Sequence, residues 1–306
     1  MGTAVGVIGL GNMGGAIAQN LLDAGFEVVG LDIDPGRMAP FTAKGGKAAA
    51  SPAEVTEEAD IVILSLPSVA ALEQVLHGPG GLVPEGRSGV VCIESSTFPL
   101  SAKIAAAGAL AEKDIALLDC TVSGTGSQAR DRDIVLYASG PPELVERCRP
   151  IFEAISKAAP RVGDFGMGSI MKFVSNLLVA VHTVAAAEAL TLAAKAGLDV
   201  ENALDLISVG AGNSRMLEVR GPLMVTGDYD VASATLDTLI KDSEIIRDFA
   251  DDQDCPVPLL SIASTFLRAA AAQGLNDKDP AVVREVLGAL AGLPSNIHRQ
   301  RGASNA

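Results

Sequence analysis

TAVGVIGLGNMGGAIAQNLLDAGFEVVGLD, residues 3–32, is the stretch whose reading decides the fold. Thr3–Ile8 is a short apolar run with the character of a buried strand. Gly9-Leu10-Gly11-Asn12-Met13-Gly14 follows at once, then a helix-like Ala16–Asp23, Gly25, and a second strand Glu27–Leu31 ending at Asp32. Glycines at these positions let the chain turn tightly and bring backbone amides close to a pyrophosphate, which sits on the helix N-terminus. Asp32 is placed to accept a hydrogen bond from a ribose hydroxyl. A lone G-x-G-x-x-G is a weak signal. Here it has the strand, helix, second strand and terminal acid that the mechanism requires. Gly9 to Gly14 and Asp32 therefore form a candidate dinucleotide site.

The alternation continues outward. Ile61–Leu66 reads as a buried strand stopped by Pro67, Val90–Ile93 as another, and Ile115–Leu118 as a third ending at Asp119. Ile134–Ala138 and Arg161–Val162 read as later strands, with one helix from about Pro142 to Ile155 between them. Strands alternating with helices predict a doubly wound, mostly parallel sheet, with ligands beyond the carboxyl ends of the strands. That rim collects Leu66-Pro67, Ser95-Ser96-Thr97 and Ser123-Gly124 beside the glycine loop.

Residues 163–197, GDFGMGSIMKFVSNLLVAVHTVAAAEALTLAAKAG, have no glycine after Gly168 until the end and no proline. They predict a helix of about thirty residues, about 45 Å long. It is apolar almost all round, so it is buried or in a membrane. Ser169, Lys172, Asn176 and Thr183 fall on one narrow polar line, and with His182, Glu188 and Lys195 they argue against a membrane span. Ile170, Phe173 and Val174 flank Lys172 with apolar surface. An exposed lysine, with a pKa of about 10.4, is a poor base at neutral pH, and burial on an apolar helix lowers it toward the working range. The bland reading of Lys172 is a lysine snorkelling from a core helix.

After Gly197 the pattern is helical throughout, including Ser233–Ala250 with an apolar stripe of Leu236, Leu239, Ile240, Ile246 and Phe249. Lys241 sits at the edge of that stripe and by itself reads as a surface lysine. Asn213, Ser214 and Arg215 lie in a loop and could read the far end of a substrate. The tail from Pro294 reads as mobile.

Length and composition set the outer bounds. A chain of 306 residues is long for one core, so two domains are expected. The formal net charge of −14 disfavours nucleic acid and anionic membranes as partners. Cys92, Cys120, Cys148 and Cys255 form no C-x-x-C pair and read as reduced core thiols of a cytoplasmic protein. No basic n-region of a signal peptide is seen. His77, His182 and His298 are scattered, and no His/Cys/Asp cluster suggests a metal.

Taken together, the segments resemble the β-hydroxyacid dehydrogenase family, which includes 3-hydroxyisobutyrate dehydrogenase and relatives of 6-phosphogluconate dehydrogenase. Gly9–Leu21 is similar to the family's cofactor loop, Ser95-Ser96-Thr97 to its S-T segment, and Asp119–Gly124 to its D-x-P-V-S-G segment. Gly166–Asn176 matches its G-x-G-x-x-x-K-x-x-x-N spacing, and Lys241-Asp242 its K-D pair. The resemblance covers nearly the whole chain. It implies a Rossmann cofactor domain, residues 1–164, followed by a long interdomain helix that opens an all-α substrate and oligomerisation domain, residues 165–306. It implies Lys172 as catalytic acid/base, Asn176 as its substrate-orienting partner, and Ser123 and Gly124 as the carboxylate cradle. Thr97 and Lys241 would contact the nicotinamide end.

The chain departs from the family at Thr125, where a glycine is usual, and at Gln128, where a small residue is usual; this bears on the substrate segment Ser123-Gly124-Thr125. Ile33 stands where NADP-using members tend to have arginine, so NAD is expected in preference to NADP. The expected activity is hydride transfer between the cofactor and a small anionic hydroxyacid, by a homodimer or homotetramer. An imine reductase on the same architecture and a non-catalytic nucleotide-binding protein are the alternatives; Lys172 and the intact polar line argue against them.

Overall fold

A computed structural model of the chain describes residues 4–230, 234–295 and 297. Thr3, Ser233, His298 and most of the tail after Pro294 lie outside the described residues. Two compact units divide between Lys172 and Phe173.

The N-terminal unit is built on eight strands: β1 (Ala4–Ile8), β2 (Glu27–Leu31), β3 (Lys47–Ala48), β4 (Ile61–Leu64), β5 (Val91–Glu94), β6 (Ala116–Ser123), β7 (Val135–Ser139) and β8 (Arg161–Gly163). Their order is β3-β2-β1-β4-β5-β6-β7-β8. All neighbours are parallel except β6 and β7. The order reverses at β1, which makes the crevice beyond β1 and β4 the topological switch point. The central strands are buried on both faces, as helix-covered parallel strands must be. Ile61 and Ile63 of β4 join one apolar cluster with Val5, Val7 and Ile93, while Val62 and Leu64 join the other with Ile8 and Cys92. This is the doubly wound sheet expected from the alternation.

Two details differ from the sequence reading. β6 does not stop at Leu118; it runs on through Asp119 to Ser123, pairing with β5 over its first half and antiparallel with β7 over its second. Asp119 is thus a mid-strand residue with no exposure. The single helix expected over 142–155 is two, Pro142–Arg147 and Arg149–Ile155. Pro150 cannot donate to a helix crossing Cys148, so the chain caps and restarts there.

The long helix, Met167–Lys195, is 29 residues. It is the one helix among the described residues long and apolar enough to cross a membrane. Its polar line argues for a core helix instead, because Ser169, Asn176 and Thr183 are all buried and hydrogen-bonded to protein partners. The expectation that it is covered on every side is not met. Met167, Met171, Val174 and Leu178, at i, i+4, i+7 and i+11, form an exposed apolar stripe, with Val174 54% exposed.

The C-terminal unit is helical. Phe173 meets Phe249 with ring centroids 5.2 Å apart and planes tilted by 54°. Arg220 is buried, donates to Asp279 at 3.1 Å and to Thr183 Oγ1 at 2.7 Å, and so satisfies the charge it carries inside. Tyr229 donates to Glu285 at 2.7 Å, and burial, the Glu285 charge and that bond hold its phenol far above the ordinary range. These groups explain how a helical unit closes around polar side chains.

Candidate active site

The cofactor cradle follows from β1. Gly9 N donates to Leu31 O at 2.8 Å and Leu10 N donates to Asp32 Oδ2 at 2.7 Å, so the loop is pinned to the end of β2. A Cβ on Gly14 would come within 1.9 Å of the Gly9 carbonyl oxygen, so helix and loop can meet only at glycine. The helix Asn12–Asp23 begins after Gly11, which has no side chain to cap it. Its first amides therefore remain for an anion. Above them lies a cavity of about 230 Å³ lined by Gly11, Asn12, Gln19, Arg37, Lys44 and Arg130 among others. Three cations and a helix N-terminus fit a pyrophosphate. Met13 packs against the core beneath.

Asp32 stands where the sequence places it, with a side chain only 5% exposed. Oδ1 also accepts from Asp34 N at 2.8 Å. Position 33 carries the exposed Ile33, as read. The structure nevertheless brings an arginine to this carboxylate: Arg37 Nη1 lies 3.5 Å from Asp32 Oδ2. The Asp34-Pro35 turn, with Asp34 accepting from Gly36 N, starts a new helix and returns residue 37 to the carboxylate. Position 33 thus carries no arginine, while position 37 brings one to the carboxylate.

On the neighbouring rim, Leu66 N donates to Ser96 Oγ at 2.9 Å, which ties the Leu66-Pro67 turn to the Ser95-Ser96-Thr97 segment. Thr97 is half-buried there.

The extension of β6 carries Ser123 and Gly124 to the end of the strand. Gly124 has φ of +138°, and a Cβ there would come within 2.6 Å of Ile134 Cγ2. The departure at Thr125 and Gln128 has a local cause. Thr125 caps the short helix Gly126–Arg130 through a reciprocal box: Gln128 N donates to Thr125 Oγ1 at 3.3 Å and Thr125 N donates to Gln128 Oε1 at 3.0 Å. The Thr125 amide is thereby engaged by the chain itself.

Along the long helix, Ser169 is fully buried and Lys172 half-buried at the end of the N-terminal unit. Asn176, one turn further, belongs to the C-terminal unit, where its Nδ2 donates to Asp242 Oδ2 at 2.7 Å. Lys241, 40% exposed, has its ammonium 3.2 Å from Asp242 Oδ1. Of the apolar flank read around Lys172, Phe173 is buried, Ile170 half-buried and Val174 exposed. Asn213, Ser214 and Arg215 are used locally: Ser214 caps the helix Arg215–Thr226, and the other two bind Glu218. Burial pushes the thiols of Cys92 and Cys148 up to about 12, which removes them as nucleophiles. The expectation of a core thiol fails at Cys255, which is exposed.

Sequence reasoning missed Arg37 and the partners of the polar line, Asp119 and Asp242. A signal existed for both acids, since each sits inside a quoted motif, DCTVSG and Lys241-Asp242.

Comparison with known proteins shows the family. Residues 4–166 match the family model described as the NAD binding domain of 6-phosphogluconate dehydrogenase, and residues 166–287 the one described as NAD-binding of NADP-dependent 3-hydroxyisobutyrate dehydrogenase. The L-threonate dehydrogenase of Cupriavidus necator is 36% identical over 93% of this chain and 96% of that protein. The 2-(hydroxymethyl)glutarate dehydrogenase of Eubacterium barkeri is 30% identical over 94% and 96% respectively. A crystal structure of 3-hydroxyisobutyrate dehydrogenase from Salmonella typhimurium superposes with a TM-score of 0.85 at 32% identity, covering 93% of this chain and 99% of that one. The resemblance read from five motifs is thus borne out, and the chain belongs to the β-hydroxyacid dehydrogenase family as an NAD(P)-dependent enzyme acting on small hydroxyacids.

Proposed function

We propose that this enzyme oxidises a small sugar acid of the L-threonate class, with Lys172 as acid/base and NAD preferred over NADP. The observation that carries the role of Lys172 is its place on the polar line. Ser169, Asn176 and Thr183 are buried, and Lys172, on the same line, is half-buried. A bound nicotinamide would supply a hydride acceptor for the hydroxyl carbon. Lys172 would take the hydroxyl proton in oxidation and return it in the reverse direction. Asn176 orients the substrate; Asp242 takes one of its N–H groups and leaves its oxygen and second N–H for a ligand.

Ser123 and Gly124 offer backbone amides for the carboxylate, with Thr125 shaping the end of the segment. Gly9, Leu10, Gly11, Asn12, Met13 and Gly14 hold the cofactor with Asp32, Leu66, Pro67 and Thr97, and family resemblance supports Lys241 as a contact of the nicotinamide end. Asp32 supports the NAD preference, since its carboxylate repels a 2′-phosphate. Similarity to L-threonate dehydrogenases supports the substrate class. The exposed stripe on the long helix supports a homodimer or homotetramer, because a contiguous apolar face is covered in an assembly. Four unpaired cysteines support a cytoplasmic setting.

The test is a panel of L-threonate, 3-hydroxyisobutyrate and 2-(hydroxymethyl)glutarate with NAD and with NADP, followed by absorbance of the reduced cofactor. The proposal expects the highest kcat/KM for L-threonate with NAD. A higher value for either other acid overturns the substrate, and an equal or higher value with NADP overturns the preference.

A further inference from the structure

Three ionisable side chains with no exposure lie together inside the N-terminal unit: Glu94 at the end of β5, Asp119 on β6 and Lys103 on the helix Leu100–Ala111. Glu94 and Asp119 are register partners on adjacent parallel strands, so both carboxylates project to one face. Lys103 Nζ bridges them, 2.5 Å from Glu94 Oε2 and 2.8 Å from Asp119 Oδ1. Burial alone would lower the Lys103 pKa, but the charges of Glu94 and Asp119 outweigh it and hold the ammonium protonated. A buried set of this kind is costly unless further hydrogen bonds complete it.

Those bonds go to two segments of the candidate active site. Glu94 Oε1 accepts from Ser96 N at 2.9 Å, beside Thr97. Asp119 Oδ2 accepts from Ser169 N at 2.7 Å, and its Oδ1 accepts from Ser169 Oγ at 2.9 Å. Asp119 thus caps the first turn of the long helix from a strand 50 residues away in sequence. Gly168 lets that turn sit on the strands, since a Cβ there would come within 2.4 Å of Tyr137 O and 2.5 Å of Asp119 O. Thr121 Oγ1 donates to Gly168 O at 2.7 Å, and Gly168 N donates to Ser139 Oγ at 3.0 Å. Lys172 follows Ser169 by three residues, on the same side of the helix.

We infer that Lys103 is a positioning residue: with Glu94 and Asp119 it locks the Ser96-Thr97 segment and the first turn of the long helix in one register, and so sets Lys172 for proton transfer. The inference rests on the assignment of Lys172 as acid/base. A lysine that served stability alone would slow nothing in an enzyme that remains folded.

The test uses Lys103→Met and Ser169→Ala in the full-length enzyme, with L-threonate and NAD, together with hydrogen exchange read by mass spectrometry. In Lys103→Met kcat falls about tenfold or more, as displacement of a reacting group by a fraction of an ångström requires. In Ser169→Ala it falls about threefold or more, while KM for acid and cofactor stays within about threefold in both. Exchange rises about tenfold or more in the peptide spanning 166–176 and stays within about twofold in the helix Asn12–Asp23, which the set does not touch. If Lys103→Met does not fold, Ser169→Ala, which removes one hydroxyl, decides the matter. Turnover within about twofold of wild type in a folded variant, or exchange that rises evenly across the unit, overturns the inference. If the wild-type enzyme turns over none of the acids, the substrate assignment fails and the exchange arm still decides whether the set anchors the helix. If Lys172→Met retains activity while Lys103→Met loses it, the assignment of Lys172 is what falls.

Discussion

Asn176 donates to Asp242 across 2.7 Å, both side chains buried and 66 residues apart in sequence. An amide that would otherwise rotate or flip is held by a carboxylate that accepts only, so its nitrogen is fixed toward Asp242 and its oxygen away. Asp242→Ala should therefore raise KM for the acid about tenfold, since a charge-assisted hydrogen bond contributes about 1.5–3 kcal/mol. KM for NAD should change little. Saturation curves for both ligands check this, and equal increases in the two would point to general unfolding of the unit.

Lys172→Met keeps the apolar stem and removes the amine. General acid–base loss of about 10²- to 10⁴-fold in kcat is expected. Cofactor affinity, read by titration of protein fluorescence or calorimetry, should persist. Lys172→Arg should not rescue, because a guanidinium stays protonated.

Asp32 and Arg37 should set the cofactor preference between them. With Asp32 present, NAD should be favoured. Asp32→Ser should shift the ratio of kcat/KM toward NADP by about 10- to 100-fold, because Arg37 is then released to bind a 2′-phosphate with a charge-assisted hydrogen bond. The double variant Asp32→Ser, Arg37→Ala should lose most of that gain.

Thr125→Ala breaks the box with Gln128 and should cost about 1 kcal/mol of stability. Chemical denaturation measures the loss. Gln128→Ala, which removes the Oε1 that accepts from the Thr125 amide, should change the relative kcat/KM among acids of different length, without changing that for NAD.

Val174 and Leu178 are 54% and 48% exposed on the long helix. Light scattering should give the mass of a dimer or tetramer for the wild type. Val174→Glu with Leu178→Glu should shift it toward the monomer with helical content unchanged. A wild-type monomer at micromolar concentration would count against the assembly.

Residues 3–32 were legible because everything they need is local. The glycine loop, its helix and the acid at the end of the next strand are contiguous, and the close approach of Gly14 to Gly9 follows from that spacing. The length of the long helix and its polar line were legible for the same reason, since a period of about 3.6 residues is written into neighbouring positions. Periodicity says which side a residue faces and nothing about what it meets there. Asp119 reaches Ser169 only because β6 runs past its expected end to lie under the first turn of the helix. Arg37 reaches Asp32 only because a turn intervenes. The bare stripe from Met167 to Leu178 is apolar, whereas the buried positions of the same turns are Gly168, Ser169, Phe173 and Asn176. Composition determined that these side chains avoid water; packing of the other elements, which settles on one side of the helix and not the other, decided which of them are covered within the chain.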